Sequence, residues 1–109
     1  MLIHRIAAQL HTSDAFQTVE SALAAGEDAT LAVSQSGRTL MLAAQFARAP
    51  RPTVYIVSGE DAADRAARSL AAYVGAAHVA RFPERADYPW KDTQPDDAVV
   101  AARCAALGR

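Results

Sequence analysis

Short apolar runs of strand length alternate along this chain with segments of helical periodicity, and this order constrains the fold more than any other feature. The run Thr53 to Val57, Thr-Val-Tyr-Ile-Val, is β-branched and aromatic, as in a strand buried on both faces. Ala29 to Val33 and His78 to Phe82 are two further runs of this kind. Strands that alternate with helices form parallel βαβ units with right-handed crossovers. We therefore predict an α/β fold in which a parallel three-stranded sheet is flanked by helices.

Five segments have the periodicity and the terminal residues of helices. Within residues 1–28, apolar side chains at helical spacing predict two short helices, the second capped by Ser13 and ended by Gly26. Three more helices are predicted beside the strands, and they span Arg38 to about Arg48, Ser58 to Gly75, and Asp96 onward. We divide the chain accordingly into N-terminal helices, residues 1–28, and the first part of an α/β domain, residues 29–109, and count one domain overall.

The turn between the first predicted strand and the helix after it has the frame of a phosphate-binding loop. A working loop has the pattern G-x-x-x-x-G-K-[ST] between a strand and a helix. Here Ala32 replaces the first Gly and Arg38 replaces the Lys, whereas Gly37 and Thr39 are retained. Arg38 keeps the charge, but its planar guanidinium does not substitute for an ammonium group. We predict a vestigial loop that binds neither ATP nor Mg²⁺ and consists of Ser34, Gln35, Ser36, Gly37, Arg38 and Thr39.

Two interpretations of the backbone amides in this vestigial loop stay open. They form either an ordinary strand-to-helix turn or a weak site for phosphate or sulfate at Gly37 to Thr39.

Composition argues against several classes of function. Eleven basic and twelve acidic side chains give a net charge of −1, so the footprint of a nucleic-acid-binding surface is missing. A single cysteine, Cys104, permits no disulfide framework and no thiolate metal cluster. The three histidines have no spacing typical of a metal site, and we predict no catalytic residue and no metal. No apolar run reaches the ~18 residues of a membrane span, and no leader pattern begins the chain, so we expect the cytoplasm.

The irregular segment from Pro83 to Pro95 carries two aromatic residues of special interest, Tyr88 and Trp90. Aromatic side chains of this kind often anchor protein interfaces. The alternative is that they hold the long connection against the rest of the domain, since a passive connection of this length is uncommon. We take Tyr88 and Trp90 as a candidate partner patch.

From Ala29 to Arg109 the chain resembles the N-terminal region of the bacterial transcription-repair coupling factor (Mfd) family, which is itself similar to the excision-repair protein UvrB. The UvrB loop is Gly-Val-Thr-Gly-Ser-Gly-Lys-Thr, and residues 32–39 here are Ala-Val-Ser-Gln-Ser-Gly-Arg-Thr. Coupling factors have a degenerate loop, often Gly-Ser-Ala-Arg-Ala in place of Gly-Ser-Gly-Lys-Thr. Arg38 matches that habit, while Gly37 and Thr39 are nearer to UvrB.

Later segments follow the order of motifs in the same family. Pro52 to Val57 and the helix after it resemble a unit of Pro, apolar run and helix. The family's next run is Phe-Pro, Leu-Pro-Tyr, Ser-Pro and Arg-x-x-x-Leu. The corresponding residues here are Phe82-Pro83, Tyr88-Pro89, Pro95 and Arg103 to Leu107. Tyr and Pro stand in the opposite order, and Asp92-Thr93-Gln94-Pro95 replaces Leu-Ser-Pro.

The resemblance implies the first part of a degenerate helicase-like domain, a partial P-loop NTPase fold similar to UvrB domain 1a. It implies a non-catalytic module of transcription-coupled nucleotide excision repair in the bacterial cytoplasm, acting in UvrA recruitment and in autoinhibition. UvrA and RNA polymerase are then partners of the full-length protein, whose downstream motor is an ATP-dependent DNA translocase. Direct DNA binding by this segment is not expected. Strands without their sheet neighbours would expose their edges, which predicts self-association.

Two other functions stay open at this point. One is a nucleotide-binding fragment of UvrB or of another P-loop NTPase, which would bind through Gly37, Arg38 and Thr39. The other is a stand-alone flavodoxin-like regulatory domain.

Overall fold

The structure is a computed structural model that describes residues 2–84, 90 and 97–108, and its regular secondary structure is helical. The elements are α1 (Leu2–Leu10), α2 (Asp14–Ala24), α3 (Gln35–Arg48), α4 (Glu60–Val74), a 3₁₀ turn (Ala76–His78) and α5 (Asp97–Leu107). All five predicted helices are thereby confirmed. The chain forms two compact units, Met1–Thr53 and Val54–Arg109. The predicted division into residues 1–28 and 29–109 rests on sequence and stays a prediction.

The prediction of a parallel three-stranded sheet is wrong. Across residues 2–84, 90 and 97–108 no residue belongs to a strand: 29–33 and 53–57 have no regular structure, and His78 ends the 3₁₀ turn. The physical reason is that a helix pairs its own backbone groups, whereas a strand needs a neighbour for each of them. Strand-length runs with high β-propensity therefore do not make a sheet by themselves.

The fold that the resemblance implied is wrong for the same reason. A partial P-loop NTPase fold of the UvrB domain 1a type, and equally a flavodoxin-like domain, is built on a parallel sheet. Since every regular element in the described part of the chain is a helix, the α/β class is replaced by a small all-helical architecture.

The first unit has a small core formed by its three helices. α1 packs against α3, and the buried side chains Ala7, Phe16 and Ala44 form one cluster with Leu10 and Met41 against it. Phe16 on α2 is the large side chain at the centre, with only 1% of its surface exposed. The small residues Ala7 and Ala44 leave room for this ring, as the close packing of protein interiors requires. The core is therefore organised around a single aromatic side chain.

The ends of the helices follow local sequence signals. Ser13 is the N-cap of α2, although its side chain makes no capping hydrogen bond. Gly26 follows α2 with φ +76°, a left-handed conformation that favours glycine. In the second unit, α4 begins with Glu60 and Asp61 in its first turn and ends at Gly75. Acidic side chains at that position are stabilised by the helix dipole.

Candidate functional site

The vestigial loop forms the N-terminal end of α3. Ser34 is the N-cap, and Gln35 is already the first helical residue, three residues earlier than predicted. The hydroxyl of Ser34 accepts a hydrogen bond from the amide of Gly37 at 3.3 Å. This is the ordinary role of serine as an N-cap, because the first amides of a helix have no partner within the helix.

Two backbone amides that a phosphate would use are bonded within this turn. The carbonyl of Ser34 accepts from the amide of Gly37 at 3.0 Å and from the amide of Arg38 at 3.2 Å. A phosphate-binding loop instead holds such amides convergent and open toward the ligand. The geometry is that of a capped helix.

Gly37 has a local role in this cap. A Cβ at this position would lie 3.1 Å from the Ser34 hydroxyl oxygen, closer than an ordinary contact. The retained glycine therefore permits the close approach of Ser34 to the first turn of α3. A Cβ there would require the serine hydroxyl to shift by a few tenths of an ångström, so glycine favours this cap without being required by it.

The remaining side chains of the vestigial loop do not converge on a common point. The hydroxyl of Thr39 donates to the carbonyl of Ser36 at 3.4 Å, so it turns back onto its own helix. The hydroxyls of Ser34 and Ser36 lie 3.5 Å apart. Gln35 and Arg38 are exposed. The six predicted residues are thus the N-cap and the first five residues of α3, and their side chains form no phosphate cradle.

A cluster of charges in the second unit was missed by the sequence analysis. The guanidinium of Arg81 donates to the carboxylates of both Glu60 and Asp64 on α4. The amide of Glu84 donates to Glu60 at 2.5 Å. The spacing of Glu60 and Asp64 on one face of a helix was the available signal, since residues four apart are neighbours there.

The same contacts shift the ionisation of Glu60. The hydrogen bond from the Glu84 amide is the main cause that holds the pKa of Glu60 below its ordinary value, and Arg81 acts in the same direction against partial desolvation. Donors and positive charge favour the ionised carboxylate. Glu60 is therefore a fixed anion that anchors the segment around Arg81 and Glu84 to the start of α4.

A second contact joins the segment before the aromatic connection to α5. The guanidinium carbon of Arg103 lies 4.0 Å from the centre of the Phe82 ring. The same side chain donates a hydrogen bond of 2.6 Å to the carbonyl of Pro83, which is buried. Stacking and hydrogen bonding by one guanidinium is a combination specific to arginine. Phe82, Pro83 and Arg103 are among the residues on which the resemblance to the coupling-factor family depends.

A third charged group lies in the first unit and joins α2 to the end of α3 and to the turn that follows α1. Glu20 on α2 accepts from Nδ1 of His11 at 3.0 Å and pairs with Nε of Arg48 at 2.9 Å. Arg48 lies in the last turn of α3, where a positive charge is favoured by the helix dipole. The group is structural in its geometry, since each member contacts another member.

The candidate partner patch is only partly described. Trp90 is 78% exposed, while Tyr88 lies outside the described residues. The structure therefore gives the exposure of Trp90 but not its position relative to Tyr88.

Other features bear on the remaining sequence predictions. Within 2–84, 90 and 97–108, no cluster of His, Cys, Asp and Glu side chains is suited to hold a metal ion. None of the helices in this part of the chain combines the length and the apolar character that a membrane span requires. An open depression of about 630 Å³ lies over α2, lined by Asp14, Gln17, Thr18, Ser21, Ala22 and Glu27, and the vestigial loop contributes nothing to it.

Comparisons of this chain with protein-family models, with curated proteins and with solved structures find no match.

Proposed function

We propose that this chain is a non-catalytic interaction module of a bacterial transcription-repair coupling factor, with roles in UvrA recruitment and in autoinhibition. The observation that carries the proposal is the contact of Arg103 with Phe82 and Pro83, at 4.0 Å and 2.6 Å. These residues lie about twenty positions apart in the sequence and belong to the ordered motif on which the resemblance depends. A physical contact gives a reason for their joint occurrence.

The geometry of the vestigial loop supports the non-catalytic part of the proposal. An N-cap contributes about 1 kcal/mol, which corresponds to roughly a five-fold change in an equilibrium and would not by itself prevent nucleotide binding. The start of α3 at Gln35 is the stronger argument. Positions that would wrap around a phosphate are helical instead, and only an ordinary helix N-terminus is left.

The interaction role requires an exposed surface instead of a catalytic cleft. Trp90 offers such a surface, since 78% of it is exposed and tryptophan is enriched among residues that dominate binding energy. In this proposal UvrA and RNA polymerase are engaged by the full-length protein in the bacterial cytoplasm. ATP is used by the motor of that protein and not by the vestigial loop.

Capture of UvrA by the full-length protein tests the interaction role. Replacing Trp90 by Ala is expected to weaken capture about three- to ten-fold, because truncating an interface aromatic commonly costs about 1 kcal/mol or more. Arg38→Ala is the matched control and is expected to leave both capture and transcription-coupled repair unchanged. Surface plasmon resonance measures capture, and a strand-specific repair assay measures repair. Unchanged capture by the Trp90 variant would remove the patch from the proposal.

The alternative function is a nucleotide-binding fragment of UvrB or of another P-loop NTPase. Calorimetric titration of this chain with ATP and Mg²⁺ distinguishes it from the proposed non-catalytic module. We expect no binding at micromolar concentrations, because the amides of Gly37 and Arg38 are bonded to Ser34. Micromolar binding that disappears in the Arg38→Ala variant would favour the alternative. The Ser36→Ala variant controls for effects of substitution in the same turn.

A further inference from the structure

The segment 53–57 exposes apolar side chains in an alternating pattern. Val54 and Ile56 are each 87% exposed, whereas Tyr55 and Val57 are partly buried. Alternation with a period of two is that of an extended chain, in which successive side chains point to opposite sides. The run with the highest β-propensity therefore exposes the apolar side chains of one face to solvent.

The backbone of this segment lacks partners as well. From Val54 to Val57 no amide or carbonyl is hydrogen-bonded to another residue of the described chain. An exposed run of unpaired amides and carbonyls is a template on which a strand of another chain can pair. The exposed side chains and the open backbone therefore point to the same kind of partner, an extended peptide segment.

We propose that this partner is the same segment of a second copy, paired antiparallel about a two-fold axis at Tyr55. In this register Tyr55 lies opposite Tyr55, Thr53 lies opposite Val57, and Val54 lies opposite Ile56. Val54 of one copy and Ile56 of the other then cover each other on one face of the ladder. Such pairs of side chains on neighbouring strands are the main source of stability in a sheet. Such a contact is isologous and closes as a dimer.

Pro52 selects which residues exchange hydrogen bonds in this ladder. Antiparallel pairs alternate between bonded and non-bonded, and proline has no amide proton to donate. If Tyr55 forms a bonded pair with its symmetry mate, Thr53 and Val57 form bonded pairs too. Pro52 then falls in a non-bonded pair, where its missing proton costs nothing.

A neighbouring register, with the axis at Ile56, is less favourable. It would place Thr53 opposite Gly59, whose carbonyl already accepts from the amide of Ala63 at the start of α4. It would also leave Val54 opposite Ser58 and lose an apolar pair. The axis at Tyr55 uses only residues whose backbone is open.

Charge at the two ends of the segment favours a second copy in antiparallel orientation. Arg51 precedes the segment and Asp61 follows it, and both are exposed. With the axis at Tyr55, Arg51 of one copy lies opposite Gly59 of the other, two positions before Asp61. Parallel pairing would instead bring Arg51 beside Arg51 and Asp61 beside Asp61. The pairing does not depend on the proposed repair role. A two-stranded ladder of this length is marginal in water, so we expect weak association, with Kd on the order of 0.1 mM.

Cysteine cross-linking tests the register in a Cys104→Ser background. Tyr55→Cys places two thiols at opposite positions, with Cα atoms about 5.5 Å apart, within the range of a disulfide. Ile56→Cys is the matched control, because its symmetry mate lies diagonally at about 7–8 Å. We expect disulfide dimers of the Tyr55 variant to form at least about five-fold faster under mild oxidation. Equal rates, or a faster Ile56 variant, would overturn the register.

Sedimentation of the native chain and of charge-reversed variants tests the dimer itself. Arg51→Glu or Asp61→Arg alone is expected to lower the association constant about two- to five-fold, and the double reversal to restore it. Circular dichroism checks that each variant keeps its helices, as expected at exposed positions. A native chain that stays monomeric at about five times the expected Kd of 0.1 mM overturns the proposal, even if the segment binds a different protein.

Discussion

At the residue scale, Ser34 determines what the first turn of α3 can do. Its hydroxyl accepts from the amide of Gly37, and its carbonyl accepts from Gly37 and Arg38. Each of these bonds uses an amide that an anion would otherwise compete for. A serine that the loop pattern leaves variable is thus the residue that closes the site.

Replacing Ser34 by Ala measures this role. The substitution removes the side-chain cap and is expected to lower the free energy of unfolding by about 1 kcal/mol. Urea denaturation followed by circular dichroism at 222 nm is a suitable measurement. Ser36→Ala is the matched control in the same turn, since its hydroxyl makes only a 3.5 Å contact with Ser34, and it is expected to change stability by less than about 0.5 kcal/mol. Equal losses in the two variants would contradict the assigned cap.

Residue-scale features of this site were predictable only in part. The six members of the vestigial loop are contiguous, so the sequence indicates that they lie together. The earlier start of α3 was not predicted, because the pattern was interpreted as a loop before a helix at Arg38. The competing signal was Ser34 itself, a residue type that is favoured as the N-cap of a helix.

At the element scale, α4 is connected to the segment that follows it by charge. Arg81 donates to Glu60 and Asp64, which lie one turn apart on the helix. These side chains are about 40% exposed, and ion pairs that water reaches contribute little individually. The amide of Glu84 adds a directional bond to Glu60. Together the contacts hold the chain after the 3₁₀ turn against the start of α4.

The lowered pKa of Glu60 predicts how stability depends on pH. A carboxyl whose pKa is lower in the folded state stabilises that state above its unfolded pKa, near the ordinary value of 4.5, and the contribution is lost as pH falls through the folded value. The urea midpoint is therefore expected to fall as pH is lowered below about 4.5, as linkage requires. Glu60→Gln should make this part of the profile flatter. Asp61→Asn, in the same turn, should leave the effect of Glu60 in place, and an identical profile for both variants would contradict the assignment.

Helices and strands differ in how far local sequence determines them. α2 ends two residues before Gly26, which takes a left-handed conformation, and α4 is flanked by its N-cap Gly59 and its C-cap Gly75. Those signals act within one turn of chain. The run Thr53 to Val57 has equally strong β-propensity and forms no strand, because propensity supplies no partner for its backbone.

At the scale of the whole molecule, the amount of buried apolar surface is small. In the part of the chain that is described, Phe16 is the large side chain with under 2% exposure, and the other buried core residues are Ile3 and four alanines, Ala7, Ala43, Ala44 and Ala66. Val54 and Ile56 remain in solvent instead. The proposed pairing of two copies would remove these side chains from water and give their backbone the neighbour it lacks.

The amino-acid sequence alone located the five helices, because periodicity and end residues act over three or four positions, although α3 begins three residues earlier than predicted. It also indicated that the six residues of the vestigial loop lie together, because they are contiguous in the chain. Tertiary structure decided the absence of a sheet among the described residues, the joining of Arg81 to Glu60 and Asp64, and the stacking of Arg103 on Phe82. These features pair groups about twenty positions apart or require a second strand. The residue type determines which kinds of contact such a group can make. The folded chain determines which partner lies close enough to make that contact.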